Sequence, residues 1–261
     1  MNRVGIVGLG HVGSLMQKLF PDAQTYDEPK NIGSKEAIND CEYIFICVPT
    51  PQSITGACVT YIVESVMEWV NKGSIIILRS TVPVGFTDYY ENSGYQIVFQ
   101  PEYYGETVNH PFEDPYNRNW ITLGGHPSVT AKVAELYQSV FTSELNIHCV
   151  DDSRVAELAK YMENSFLATK VTFCNEFYEI AEKFGLNYEQ VRETWLLDHR
   201  IGRSHTFVYP DNRGYGGSCL PKDISAINYQ ANKELHIDTP LLTGVINANK
   251  TYTSKTKEDI Q

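Results

Sequence analysis

The chain opens on a short apolar run that leads into G-x-G-x-x-G: Val4-Gly5-Ile6-Val7-Gly8-Leu9-Gly10-His11-Val12-Gly13. Few local sequences restrict a fold as strongly, because each glycine answers a separate geometric demand. Gly8 allows a tight turn from strand to helix, Gly10 lets main-chain amides approach a pyrophosphate, and Gly13 permits close helix–strand packing. A helical pattern follows (Val12, Leu15, Met16, Leu19, Phe20), so the phosphates would rest on a helix N-terminus. The alternative is a glycine-rich loop that holds no cofactor. A second short strand over residues 24–26 ends at Asp27, where an acid would bond the ribose hydroxyls of adenosine. Such an acid favours NAD over NADP, because it repels a 2′-phosphate. The neighbouring Glu28 leaves the choice of acid open.

Strand-like and helix-like runs alternate beyond Asp27. Residues 43–48 and 74–79 are nearly continuously apolar, as central parallel strands are. Between them, Val59, Ile62, Val63, Val66, Met67 and Val70 recur at helical spacing over residues 59–71. More strands are predicted at 96–99, 120–124 and 146–150, with a helix at 127–141. This is α/β organisation: a doubly wound parallel sheet of the Rossmann type, trimmed after its second strand. Near residue 151 the pattern becomes all-α. Apolar residues then recur at helical spacing over 155–184, a helix of about 50 Å, long enough to carry a dimer interface. Helices are also predicted at 188–197, 220–235 and 240–252, with a frayed polar stretch over 253–261. The expected division is a nucleotide-binding domain at 1–150 and a helical dimerisation and substrate domain at 151–261.

The formal net charge of −11 argues against nucleic acid or an anionic membrane surface as partner. A phosphate-bearing ligand must therefore be met by local donors. No apolar run is long enough to span a membrane, and no basic-then-apolar leader precedes the first strand, so a cytoplasmic protein is expected. Six cysteines (41, 47, 58, 149, 174 and 219) lack metal-ligand spacing. They read as reduced thiols, and no metal is expected; His199 and His205 read as surface or loop residues.

Near the end of the chain stands Gly216-Gly217-Ser218-Cys219-Leu220-Pro221-Lys222-Asp223. The glycines allow close backbone approach to a ligand. A helix N-terminus and a nearby ammonium both favour a thiolate, so Cys219 is placed like a nucleophile; a small residue packed after a loop is the plainer alternative. Lys160 and Asn164 lie four apart on the long helix and project from one face. Together they would hold an oxyanion, or they are simply a solvated lysine and a surface asparagine. Thr81, in Ser80-Thr81-Val82-Pro83-Val84-Gly85, ends a central strand at the edge where ligands bind, with a water-positioning or nicotinamide-contacting role, or a capping one. Glu102 and Glu106, in Pro101-Glu102-Tyr103-Tyr104-Gly105-Glu106, are candidates for acid–base work or residues of a solvated loop. Arg200 is a candidate phosphate or sugar donor, or an ion-pair arginine.

With these segments in order, the chain resembles the UDP-glucose/GDP-mannose dehydrogenase family. The matching pieces are GLGHVG, CVPTPQ, RSTVPVG, QPEYYGE, AELAKYMENSFLATKVTFCNE, DHRIG and GYGGSCLPKD. They cover most of residues 3–250, and the last is very specific. The resemblance implies oxidation of a nucleotide sugar at C6 in two steps, with two NAD and one water consumed, to give a uronic acid. By motif position it implies Cys219 as nucleophile and Lys160 with Asn164 as oxyanion holders. Asp223 and Thr81 would hold the water, Glu106 and Glu102 would act as acid–base glutamates, and Lys222 would support the site. It extends the cofactor set to His11, Val12, Val48, Pro49, Thr50 and Ser80. The substrate set becomes Glu102, Tyr103, Tyr104, Lys160, Asn164, Arg200, Tyr209, Gly216 and Lys222, with Arg200 reaching the sugar of a neighbouring subunit in a homodimer. The spacing from DHRIG to GYGGSCLPKD is closer to the UDP-glucose members.

The expected departures are a first domain shortened after its second strand and a missing third, nucleotide-closing domain. Residues 207–215 would then serve as the uridine-diphosphate loop. Two other readings stay open: a two-electron β-hydroxyacid dehydrogenase, which has no use for Cys219, and a non-catalytic nucleotide-binding remnant acting through dimerisation.

Overall fold

The computed structural model describes residues 3–104, 114–141 and 144–258, with side chains described to residue 254. Seven strands form one sheet: β1 (Val4–Val7), β2 (Gln24–Tyr26), β3 (Tyr43–Ile46), β4 (Ile75–Leu78), β5 (Gln96–Phe99), β6 (Trp120–Gly124) and β7 (Asn146–Val150). Around them lie α1 (His11–Leu19), α2 (Lys35–Asn39), α3 (Tyr61–Met67), α4 (Phe86–Asn92) and α5 (Pro127–Gln138). The strand order is β2-β1-β3-β4-β5-β6-β7, and every neighbouring pair is parallel except β5 with β6. The doubly wound α/β expectation therefore holds, with one antiparallel join. No α-helix lies between β5 and β6 among the described residues, and only parallel neighbours demand a helical crossover. The short helices α2 and α4 carry no clear apolar period and were not expected.

Alternation along the strands explains why they read as unbroken apolar runs. Ile6, Phe45, Ile77 and Val98 enter the core on one face, with Leu15, Met16 and Leu19 of α1. Val7, Ile44, Ile46, Ile76, Leu78, Ile97 and Phe99 enter the core on the other, with Val63, Val66 and Met67 of α3. Burying each such side chain contributes about 1.5–3 kcal/mol, so both faces must stay covered. Order 2-1-3 puts the chain reversal between β1 and β3, and ligands bind beyond the carboxyl ends of strands at such a point.

After β7 come α6 (Ser153–Lys183), α7 (Tyr188–Trp195), α8 (Leu220–Tyr229) and α9 (Pro240–Glu258). The described chain forms two compact units, residues 1–51 with 58–160 and residues 52–57 with 161–261. The boundary falls inside α6, after Lys160, and not before that helix at 150 as the change of pattern in the sequence suggests. The reason is packing: the Cβ of Ala156 sits so close to Gly124 that a side chain there would meet it at 2.7 Å, so the first turns of α6 belong to the sheet. Helix α8 widens into a π-helical turn over Gln230–Glu234. Helix α9 runs to Glu258, past the expected frayed start at 253.

Candidate active site

The turn after β1 is built as its glycines suggest. Gly8 takes φ +87°, and a side chain on it would meet the Cys47 carbonyl oxygen at 2.9 Å. A side chain on Gly13 would overlap the Gly8 carbonyl, so α1 sits directly on the turn. Gly10 is different: a Cβ there would have no protein atom within 4 Å. The protein's own packing does not demand glycine at this position. Gly10 caps α1 without a side-chain bond, ahead of His11 and Val12, so first-turn amides remain available to an anion. Asp27, buried at 8% exposure, accepts Leu9 N–H at 2.7 Å and Lys30 N–H at 3.0 Å. The Lys30 ammonium donates to the Leu9 carbonyl at 2.5 Å, while Glu28 is exposed. Asp27, not Glu28, is therefore the acid tied to the glycine loop. Lys30 was missed by sequence reading, although a lysine three residues after a strand-ending acid is a usable signal.

The ends of β3 and β4 are tied together. Ser80 Oγ donates to the Val48 carbonyl at 2.6 Å, next to Pro49, and Thr50 Oγ1 donates to the Thr81 carbonyl at 2.7 Å. The loop that follows is held by α6. The Glu157 carboxylate, fully buried, accepts Gly85 N–H at 2.6 Å and Thr87 N–H at 2.9 Å. Burial raises its pKa, against the pull of those N–H donors. One turn on, Lys160 is buried at 7% exposure with its ammonium 4.6 Å from the Tyr103 ring centre.

Beyond β5, Glu102 is fixed by the Arg79 guanidinium and by the Tyr104 N–H. Arg79 is 2% exposed and also donates to Gln100 Oε1 at 2.8 Å and Tyr137 Oη at 3.2 Å. Burial, the largest single effect, works to discharge this guanidinium, but Glu102 together with Tyr137, Tyr104 and Cys47 outweighs it and raises the arginine pKa. Arg118, also 2% exposed, lies against the rings of Tyr104 (4.8 Å), Trp120 (5.0 Å) and Tyr103 (5.4 Å). In the sequence Arg79 only opens the RSTVPVG piece and Arg118 only lies between Tyr116 and Trp120, and neither pattern assigns a role. Glu106 lies outside the described residues.

The second unit holds the other candidates. Cys219 caps α8 and is exposed, and its carbonyl accepts Asp223 N–H at 2.9 Å. The Asp223 carboxylate, 1% exposed, accepts Asn164 Nδ2 at 2.5 Å and pairs with the Lys222 ammonium. A carboxylate so deeply buried is stable only when paired and hydrogen-bonded, and both conditions are met here. Asn164 is itself buried at 4% exposure, so it is not a surface amide. Gly216 has no protein atom within 4 Å of an added Cβ. Two candidates have no hydrogen bond or ion pair to this cluster among the described residues: Arg200, 87% exposed along its side chain and paired with Asp198 two residues away, and the exposed Tyr209. All six cysteines are thiols, and among the described residues no His, Cys, Asp and Glu side chains gather as a metal site. No helix of the described residues is long and apolar enough to cross a membrane.

Comparison with known proteins bears on these two units. Residues 30–141 match the NAD binding domain of the UDP-glucose/GDP-mannose dehydrogenase family, and residues 154–251 match that family's central domain. The chain is 34% identical over 230 residues to a UDP-glucose 6-dehydrogenase of Rickettsia felis, covering 84% of this chain and 50% of that protein. It is 32% identical over 228 residues to UDP-glucose 6-dehydrogenase YwqF of Bacillus subtilis, covering 82% and 50%. The chain thus spans about half the length of these relatives. Among solved structures, a UDP-glucose dehydrogenase from Pyrobaculum islandicum matches with TM-score 0.83 and 25% identity over 96% of this chain and 68% of that one. A 3-hydroxyisobutyrate dehydrogenase from Mycobacterium tuberculosis shares the fold at TM-score 0.74 and 16% identity, over 96% and 93%.

Proposed function

Because the chain belongs to the UDP-glucose/GDP-mannose dehydrogenase family, we propose that it oxidises a nucleotide sugar twice with NAD, UDP-glucose becoming UDP-glucuronate. The observation that carries this reading is the buried Asp223, held by Asn164 and Lys222 one helical turn from the exposed thiol of Cys219. A cysteine needed only for packing would require no such neighbours.

The first unit fits NAD on its own geometry: an uncapped α1 N-terminus, an unobstructed Gly10 and a buried Asp27 against the glycine loop. Gly8, Gly10, His11, Val12 and Gly13 would hold the pyrophosphate, Asp27 the ribose, and Val48, Pro49, Thr50, Ser80 and Thr81 the nicotinamide half. When bound, NAD accepts the hydrides of both oxidations. The Cys219 sulfur adds to the aldehyde carbon left by the first oxidation, giving a thiohemiacetal, and the second oxidation leaves a thioester. Lys160 and Asn164 stabilise the oxyanions of these stages. A water held by Asp223 and Thr81 attacks the thioester carbonyl, Asp223 takes its proton, and the C–S bond breaks with the thiolate as leaving group. Lys222 supports Asp223, and Glu102 and Glu106 are the acid–base candidates. Tyr103, Tyr104, Tyr209 and Gly216 would line the sugar nucleotide.

A homodimer is part of this reading. In the second unit Met162, Phe166, Phe173, Phe177, Ile180 and Phe184 are exposed on α6, spaced by three, four or seven residues along one stripe, as a helix-pairing seam requires. Arg200 would then serve the partner's sugar. The reading implies a cytoplasmic protein feeding polysaccharide biosynthesis. A β-hydroxyacid dehydrogenase is the second reading, favoured by the fold shared with the 3-hydroxyisobutyrate enzyme over nearly all of that chain. Incubation with NAD and a panel of nucleotide sugars and β-hydroxyacids tests both: NADH formed only with nucleotide sugars supports the first reading, and NADH only with hydroxyacids replaces it.

A further inference from the structure

Cys219 is reached from Tyr215 through only three residues, Gly216, Gly217 and Ser218. Two adjacent glycines resist fixation by themselves, so the placement of this link depends on its anchors. One anchor is α8. The other is a pair of asparagines from two different helices. Asn249 of α9 grips the Tyr215 backbone at both polar groups, accepting its N–H at 2.7 Å and donating to its carbonyl at 2.9 Å. Asn175 of α6, 1% exposed, accepts Gly214 N–H at 3.2 Å and Arg213 Nε at 2.6 Å, and donates to its own helix at Val171 O at 2.9 Å.

The fit leaves no slack. Gly214 has φ +77°, and a methyl added there would overlap Asn249 Oδ1. The Tyr215 ring is buried among Ala168, Ile224 and Val245, and burial pushes its phenol up to about 12. A side-chain amide that pairs with both groups of one residue substitutes for a neighbouring strand. It satisfies backbone that would otherwise lie buried without partners.

We propose that Asn249 and Asn175 are positioning residues that hold the segment before Cys219, so that the glycine link delivers the thiol in one place. That the thiol is a nucleophile rests on the reading above; the clamp itself does not. The test uses Asn249→Ala, Asn249→Asp, which keeps the acceptor for Tyr215 N–H but not the donor, and Gly214→Ala. Amide exchange at Tyr215 and the rate of Cys219 alkylation by iodoacetamide, quantified on its own peptide, are followed in each. Asn249→Ala should speed Tyr215 exchange at least about tenfold and change Cys219 alkylation at least about threefold, with exchange in β1 to β4 unchanged. Asn249→Asp should fall between parent and Ala, and Gly214→Ala should match Ala. Turnover should lose kcat while KM for NAD holds. Parent-like exchange and alkylation in Asn249→Ala, or in the other two if that variant does not fold, overturns the clamp. A parent protein that yields no NADH overturns the proposed function instead, and the alkylation readout still decides the clamp.

Discussion

Asn164 and Asp223 are joined by a side-chain hydrogen bond of 2.5 Å, and both residues are almost fully buried. Asn164 comes from α6 and Asp223 from α8, so the bond fixes the first turn of α8, which Cys219 caps, against the long helix. Lys222 supplies the compensating charge. An aspartate in this setting serves as a prepared acceptor whose desolvation was met by folding.

Asp223→Asn keeps the shape and removes the charge. We expect acid formation to fall about 10²–10³-fold, with a stability loss of about 1–3 kcal/mol. Asp223→Ala should cost about 3–5 kcal/mol, because it leaves the Lys222 ammonium without its partner. Rates of NADH release and urea melts of the two variants check both statements.

Cys219→Ser changes an exposed residue, so stability should stay within about 0.5 kcal/mol. Uronate formation should disappear while NAD affinity is retained. Product chromatography beside NAD titration reads this directly, and undiminished uronate would remove the sulfur from the mechanism.

Asp27 lies against the glycine loop, and a 2′-phosphate would meet its carboxylate. Replacing it by serine should lower NAD affinity and relax the preference over NADP by about tenfold or more, as removal of one like-charge repulsion permits. A ratio unchanged in Asp27→Ser would assign the discrimination to another group.

Glu157 gives a pH prediction with a definite sign. Burial raises its folded pKa above the ordinary 4.5. Its contribution to stability is therefore complete below that value and is lost as pH rises through the folded pKa. Urea melts from acid to neutral pH should show the parent losing stability relative to Glu157→Gln, by at most about 1.4 kcal/mol per pH unit, before the difference levels off. A difference that is flat with pH, or that grows with pH in the parent's favour, contradicts the assignment.

The α6 stripe makes a further test. Phe173→Asp with Phe177→Asp should convert the protein to monomer in sedimentation velocity without unfolding it, since both rings are already more than 40% exposed. A parent that sediments as a monomer would dismiss the interface.

Much of the fold was legible because periodicity is written into the strands and helices. Residues 43–48 and 74–79 read as buried strands since both faces of the sheet are covered, and α6 announced itself by apolar spacing until Gly185. The reversed pairing of β5 with β6 was not legible, since among the described residues a single register pair, Phe99 with Gly124, marks it. Cys219, Lys160, Asn164 and Asp223 stood out by motif. Arg118 and Asn249 lie outside the matching pieces, and Arg79, Glu157 and Asn175 lie inside them with no role attached, because the significance of all five is spatial. A buried arginine and a solvated one look alike in a sequence until the aromatic rings and carboxylates around them are placed.

The most direct measurement counts NADH released per nucleotide sugar consumed to completion, with the product identified by mass. The account predicts two NADH and a carboxylate for each UDP-glucose. One NADH per substrate, with an aldehyde or ketone as the final product, would contradict it.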